Sequence, residues 1–175
     1  FLALIVIGTV LLSLPIATIQ PISILAAAFT ATSAVTVTGL NVVDTANYTT
    51  FGQLVIAALI QFGGLGFMTF AILVLTSLQG KMGLSGSITA QEALGTHSNQ
   101  IGSTAKAVIK IAFITESLGF LGLTLLLAPL KGLKDAMYEA FFLCISAFNN
   151  AGFALNGNNM TAYVHQPMIS FIISL

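Results

Sequence analysis

Charge is what this chain has least of. Among 175 residues there are five Lys, no Arg and five Asp plus Glu, so charged side chains make up 6% of the sequence. A soluble domain is about a quarter charged. Ten ionised groups cannot clothe the surface of one this size, so much of the surrounding solvent must be lipid. Zero formal net charge without a basic run excludes a nucleic-acid-binding surface. A single cysteine, Cys144, excludes an intrachain disulfide framework and any multi-cysteine metal centre. The two histidines, His97 and His165, stand 68 positions apart and fit no zinc spacing. No nucleophile and base form a recognisable set, so catalysis is not expected. The enzyme alternative is an intramembrane hydrolase built on Ser33 or Ser146 with His165, and it needs the base within about 3 Å of the hydroxyl.

What the chain does have is apolar: 57% of residues are hydrophobic and the mean hydropathy is +1.01. A helix crosses the hydrocarbon core with about 20 apolar residues, and Leu54–Leu78 and Ala105–Leu130 reach that length. Phe1–Leu14 is apolar from its first residue but lacks the positive leader and small-residue cleavage site of a signal peptide. Met168–Leu175 is apolar up to the last residue. Both read as helices cut short, and the chain as a piece of a longer protein. The fold class expected is an all-α membrane protein.

Two further apolar stretches, Ile22–Val35 and Ala136–Phe148, are too short to cross. Each runs into a small, polar, glycine-bearing tail. Segments of this length read as re-entrant or buried helices, and non-helical backbone at membrane depth survives only when protein encloses it or it lines a wet cavity. Residues 79–104 differ in kind, with five glycines and several polar side chains. Thr89 and Glu92 fit a capping box for a short helix, with Ala90, Ala93 and Leu94 as a weak apolar face. The segment is expected to be a loop at the membrane surface. Lys81, Lys106 and Lys110 lie on its side, and Lys131 and Lys134 on the other, a thin bias toward a cytoplasmic position.

Sliding the chain over itself by 113 positions superimposes the two short segments without a gap. Ala27 falls on Ala140, Phe29 on Phe142, Ser33 on Ser146, Ala34 on Ala147, Gly39 on Gly152 and Gln53 on Gln166. One residue of slip upstream pairs Gly8 with Gly122 and Pro15 with Pro129. The unit is membrane helix, short helix, glycine loop, membrane helix. Its first copy is expected over 1–78, a linker over 79–104 and a second copy over 105–175. Parallel repeats of this kind surround an axis along the membrane normal.

The loops read Thr36-Val37-Thr38-Gly39-Leu40 and Asn149-Asn150-Ala151-Gly152-Phe153. A cation crossing a membrane exchanges its hydration shell for oxygens, and rings of backbone carbonyls supply them. Turning carbonyls to one side requires unusual dihedrals, which glycine adopts without steric cost. Each short helix would point its partially negative C-terminal end at such a cavity, while Asp135 suits the opposite end of the second. A lone Thr-Gly or Ala-Gly is ordinarily a turn; repetition behind matched helices changes that weighting.

Three motifs then stand together: residues 32–40 (TSAVTVTGL), 61–66 (QFGGLG) and 146–153 (SAFNNAGF). With their order, they resemble the Trk/Ktr/HKT superfamily of potassium transporters, most closely the bacterial Ktr-type membrane subunit, over essentially the whole chain. The resemblance implies potassium-channel-like helix–pore-helix–helix repeats with re-entrant filter loops, four to a polypeptide, of which about one and a half lie here. A chain with so few walls is not expected to conduct alone. Carried over, the potassium-binding filter comprises Thr36, Val37, Thr38 and Gly39, and Asn149, Asn150, Ala151 and Gly152. Glycine at both matched positions resembles the potassium-selective form, whereas serine in the first would suggest sodium preference. The resemblance further implies potassium uptake across the plasma membrane, with sodium required in some members, and no covalent cofactor. Implied partners are the lipid bilayer, a second copy in a homodimer and a cytosolic ring of nucleotide-binding regulatory subunits. Against this stand a secondary carrier with broken helices, which should show inverted rather than parallel repeats, and a non-conducting structural fragment.

Other residues carry open alternatives. Glu116 falls mid-span, where a charge costs about 2.5–3.5 kcal/mol on insertion scales; it either bonds another helix or serves ion passage. Lys110 is placed to snorkel to the interface. Glu139 is either a vestibule acid that attracts cations or a capping residue, and Asp44 either rings an outer mouth or starts a turn. Gly63, Gly64 and Gly66 follow no strand and fail the dinucleotide spacing, so close helix packing is expected. Gly80-Lys81-Met82 lacks the Ser/Thr of a phosphate loop. Asn47-Tyr48-Thr49 and Asn159-Met160-Thr161 match the glycosylation pattern and read as ordinary loop residues.

Overall fold

The computed structural model describes residues 1–80, 90–156, 161, 163 and 166–174. Lys81, Met82, Thr89, Asn159, Met160 and His165 lie outside the described residues, and with them the capping box, the second glycosylation pattern and the base of the hydrolase alternative. Among the described residues six helices follow in order: α1 (Leu2–Leu12), α2 (Ile24–Val35), α3 (Thr50–Gly80), α4 (Ala90–Lys131), α5 (Leu133–Phe148) and α6 (Pro167–Ser174). No strand occurs among the described residues; Thr18 and Tyr48 form one isolated bridge.

Two of these helices are long and apolar enough to cross a membrane, over Thr50–Ile72 and Ala105–Lys131. A soluble protein's core helix passes the same length test, but it is mostly buried. Here only 17% of the second span's apolar window is buried, and Phe113, Leu118, Leu121 and Leu125 are all exposed. Apolar and uncovered is the signature of a lipid-facing helix. The chain is a membrane protein. The first span lies some four residues nearer the N-terminus than hydropathy alone suggests, because its polar opening at Thr50, Gly52 and Gln53 is already helical.

The short segments are helices close to their expected limits. Ser23 caps α2, its hydroxyl accepting from the Ala26 amide at 3.2 Å. Asp135 lies in the first turn of α5, where the helix dipole favours an acid. Residues 79–104 require a correction. A short helix near Ala90 within a surface loop is expected; instead the helix that starts at Ala90 does not end in a loop, and α4 passes into the span without interruption. The stretch opens on Ala, Gln, Glu, Ala and Leu, all strong helix formers, and its first proline is Pro129. Glycines weaken such a helix by about 1 kcal/mol each but do not break it.

The described chain divides into two compact units, Phe1–Gly64 with Thr115–Leu175, and Leu65–Ile114. The second holds the C-terminal part of α3 and the N-terminal part of α4; within it Thr69 returns its hydroxyl to the Leu65 carbonyl at 2.8 Å. The first holds both short helices and two apolar cores. One core joins α2, α3 and the C-terminal end of α5 through Ala27, Ala31, Val35, Ile56, Ile60, Phe142, Ala151 and Phe153. The other joins α4, α5 and α6 through Leu123, Leu127, Ala136, Ala140, Leu143 and Ile169. Backbone bonds tie the segment after α1 to the one before α3, from the Ile19 amide to the Asn47 carbonyl at 2.9 Å and from the Thr49 amide to the Ala17 carbonyl at 3.0 Å. In the first core, Tyr48 donates to the Thr30 hydroxyl at 3.0 Å.

Candidate functional site

Both short helices end in the same way. The cap residue of α2, Thr36, has φ −89° and ψ 0°; that of α5, Asn149, has φ −87° and ψ 0°. The Val37 amide then reaches the Ala34 carbonyl (3.3 Å) and the Thr38 amide the Ser33 carbonyl (3.0 Å). In α5 the Asn150 amide reaches Ala147 (2.9 Å) and the Ala151 amide Ser146 (2.7 Å). Every one of these atoms is related to its counterpart by 113 positions. The pattern is a Schellman closure, with the first residue beyond the cap in left-handed conformation. That residue is Val37 at φ 57° in one loop and Asn150 at φ 55° in the other. Two positions on, Gly39 has φ 73° and Gly152 φ 71°. Thr38 and Ala151 between them keep negative φ. For valine the left-handed region is a genuine outlier, held in place by its surroundings at a cost of about 1–3 kcal/mol.

The two loops touch. A methyl group placed on Gly39 would lie 2.6 Å from the Ala151 carbonyl oxygen and 3.3 Å from the Gly152 Cα, so only glycine permits this approach. Against them α3 presents its own glycines. A Cβ at Gly63 would collide with the Val35 carbonyl at the end of α2, and one at Gly64 with the Asn149 side chain at the end of α5. The run at 63–64 is therefore a packing surface for both helix ends. Neither α2 nor α5 carries a basic residue in its last turn, so nothing in those turns offsets the partial negative charge at the loops.

Side-chain support differs between the loops. In the first, Thr36 returns its hydroxyl to the Thr32 carbonyl (2.7 Å) and Thr38 bonds the Ser33 hydroxyl (3.0 Å). In the second, buried Ser146 donates to the Phe153 carbonyl (2.6 Å) and accepts from the Phe153 amide (2.9 Å). Asn149 is turned into the protein, donating to Ile145 O and to Gln61 Oε1, both at 2.9 Å. Gln61 in turn donates to Glu116 Oε1 at 2.7 Å. Glu116 is thus bonded to another helix, and it lines a cavity of about 290 Å³ together with Asn150 and Cys144.

The remaining acids sit apart from the glycines. Glu139 is nearly buried in α5. It takes Lys131 Nζ at 2.7 Å on Oε2, and Asn156 Nδ2 at 2.7 Å and the Tyr163 hydroxyl on Oε1. This cluster pins the chain leaving the second loop to the ends of α4 and α5. Burial, and then the bond to Glu139, hold the Tyr163 phenol above its ordinary range, so it remains a donor. Asp44 caps a 3₁₀ turn at Thr45–Asn47, accepting from the Ala46 amide at 3.1 Å. Gln61, Lys131, Asn156 and Tyr163 carry no signal in the sequence beyond their residue types, and for Gln61 its place in the 61–66 motif.

Comparison with known proteins agrees in extent with this architecture. The TrkH family, described as cation transport proteins, matches residues 1–175. The Ktr system potassium uptake protein B of Bacillus subtilis is 46% identical over 177 residues, covering 99% of this chain and 40% of that protein. Its namesake in Vibrio alginolyticus is 39% identical, covering 99% and 39%. The potassium/sodium uptake protein NtpJ of Enterococcus hirae is 36% identical, covering 99% and 40%. The chain thus spans about two fifths of the length of these relatives. It belongs to the TrkH family of cation transport proteins, as a Ktr-type member of the Trk/Ktr superfamily, a group of transporters rather than enzymes.

Proposed function

We propose that this chain forms part of a potassium uptake pathway, in which the ion exchanges water for backbone carbonyls of the two glycine loops. The observation that carries this reading is the matched backbone: two loops, 113 residues apart, with the same closure and the same alternation of φ. Chance similarity of apolar sequence does not produce that. On this reading α2 and α5 are pore helices, and Thr36–Gly39 and Asn149–Gly152 are two filter strands. Residues 1–78 and 105–175 are then successive repeats joined by a cytoplasmic 79–104. Relatives named for potassium uptake, and one for potassium and sodium uptake, support potassium as the cargo and sodium as a second or coupling ion. The setting is a multi-pass protein of the plasma membrane, paired with a second copy and a cytosolic nucleotide-binding ring.

The test is made in the full-length protein that carries this chain, in cells whose own potassium uptake is deleted. Gly39→Ser is compared with Gly63→Ala for KM of potassium against sodium, with membrane protein measured in parallel. Gly39→Ser should reduce the preference for potassium by about tenfold, the equivalent of 1.4 kcal/mol. Gly63→Ala, which drives a methyl into the Val35 carbonyl, should lower the amount of protein more than its selectivity. Equal selectivity changes, or none from Gly39→Ser with protein present, would overturn the filter assignment.

A further inference from the structure

Three polar side chains connect the middle of the second span to the start of the second loop. Glu116 Oε1 accepts from Gln61 Nε2 at 2.7 Å, and Gln61 Oε1 accepts from Asn149 Nδ2 at 2.9 Å. Asn149 is the cap of α5, 6% exposed, and its backbone opens the loop that leads to Gly152. A carboxylate only accepts. Glu116 therefore makes Gln61 turn its amide nitrogen to one side and its oxygen to Asn149 on the other. Gln61 and the Ile145 carbonyl together then claim the Asn149 nitrogen, and Asn149 Oδ1 is left over Gly64 without a partner. An orphaned buried oxygen is unfavourable; the chain of bonds that begins at Glu116 holds it in that orientation.

The first loop has nothing equivalent. At the position matched to Asn149 stands Thr36, whose hydroxyl stays within its own helix. At the position matched to Glu116, with the one-residue slip of the upstream alignment, stands Leu2, which is exposed.

We propose that Glu116 is a positioning residue which, through Gln61 and Asn149, fixes the geometry of the second glycine loop and so sets discrimination between potassium and sodium. The proposal rests on the filter reading above. It assigns an intramembrane acid to selectivity without contact with the ion.

The experiment exchanges the members of the relay in the full-length protein and reads the ratio of KM for sodium to KM for potassium, with maximal rate and membrane protein measured alongside. Gln61→Glu alone sets two carboxylates against each other and should lower the ratio by about fivefold, the lower end of what one coupled contact supplies. Glu116→Leu should do the same by releasing Gln61. In the double variant Gln61→Glu with Glu116→Gln, the amide introduced on α4 donates to the carboxylate introduced on α3, and that carboxylate accepts from Asn149, so the order of bonds is restored. Its ratio should return to within about twofold of the original, and a merely structural role would not yield that rescue. A double variant no better than Gln61→Glu, or absent from the membrane, overturns the proposal, as does an unchanged ratio in Glu116→Leu. Where Glu116→Leu does not reach the membrane, the exchange pair decides. Gly152→Ala in the same assay separates the two levels. If it shifts the ratio and the relay variants do not, the relay fails and the filter stands; if it too is silent, the filter reading falls and the relay with it.

Discussion

The first and second loops have the same backbone and different means of holding it. Both close their helix on the carbonyls of a serine and an alanine, and both place left-handed residues two apart. Yet Ser33 commits its hydroxyl to Thr38, whereas Ser146 clamps both polar groups of Phe153. The difference follows from one neighbour. Thr38 offers a hydroxyl to its serine, while Ala151 at the matched position offers none. The second loop is anchored further by Asn149 and by the Lys131–Glu139 cluster beyond it; the first leans on hydroxyls within its own helix. Glycine and the helix closure determine the path of the chain, and the side chains around it are free to diverge.

The largest asymmetry should appear at the glycines themselves. Gly39→Ala forces an L residue into φ 73° and drives its methyl to 2.6 Å from the Ala151 carbonyl. Handedness contributes about 1–2 kcal/mol and overpacking about 1–3 more, so a loss of about 3 kcal/mol or greater is expected. Gly152→Ala meets nothing nearer than the Gly39 Cα at 3.5 Å and should lose only about 1–2 kcal/mol. Thermal unfolding of the purified protein in detergent ranks the two. Equal losses would mean that the loops do not approach each other as described.

Next comes the anchor that only the second loop possesses. Lys131→Met leaves Glu139, 8% exposed at its side chain, without its cation. Breaking a fully buried pair costs about 3–5 kcal/mol. Lys131 itself is 32% exposed, and Asn156 and Tyr163 still donate to the acid, so about 2–3 kcal/mol is expected here. Hydrogen exchange at the Ala154 and Leu155 amides should accelerate, with no change around Thr38.

Much of this comparison is legible in the residues alone. The gapless offset that pairs Ser33 with Ser146 and Gly39 with Gly152 is carried by residue types with backbone consequences, and such consequences are local. The limits of α2 are readable within two residues, because the apolar run opens at Ile22 and gives way after Val35 to a polar, glycine-bearing tail. The side-chain networks are not. Gln61, Glu116 and Asn149 are 55 and 88 residues apart along the chain where they bond, and no periodicity links positions joined only by packing. Glu139 is legible as a charge out of place but not as the partner of Lys131 and Tyr163. The continuation of the short helix expected near Ala90 through 104 into the span escapes a reading that weighs glycine content above the absence of proline. Val37 in a left-handed conformation is unreadable in principle, since valine is among the residues least suited to it.

The serines sharpen the contrast at a smaller scale. Ser146→Ala strips partners from the buried amide and carbonyl of Phe153 and should cost about 2 kcal/mol, about 1 for each hydrogen bond lost. Ser33→Ala removes a buried hydroxyl, but its donor, the hydroxyl of exposed Thr38, is then free to bond water, so the loss should be no more than about 1 kcal/mol, that of one hydrogen bond. Chemical denaturation of the two variants reads the difference; a Ser33→Ala loss as large as that of Ser146→Ala would show that the first loop depends on its hydroxyls as the second does on its clamp.

The smallest effect comes from exchanging the strained residues. Asn tolerates the left-handed region better than any β-branched side chain, so Val37→Asn relieves about 1–2 kcal/mol of strain. It also withdraws a half-buried side chain from the first core, returning up to about 1 kcal/mol at ordinary burial energies. The balance is a gain of about 0.5 kcal/mol. Asn150→Val has no such offset, because position 150 is exposed, and it should lose the full 1–2 kcal/mol or so of handedness. The pair of exchanges therefore carries opposite signs and unequal sizes. Were both to destabilise equally, Val37 would be held by its contacts rather than strained against them, and the two loops would be more alike in their energetics than their side chains suggest.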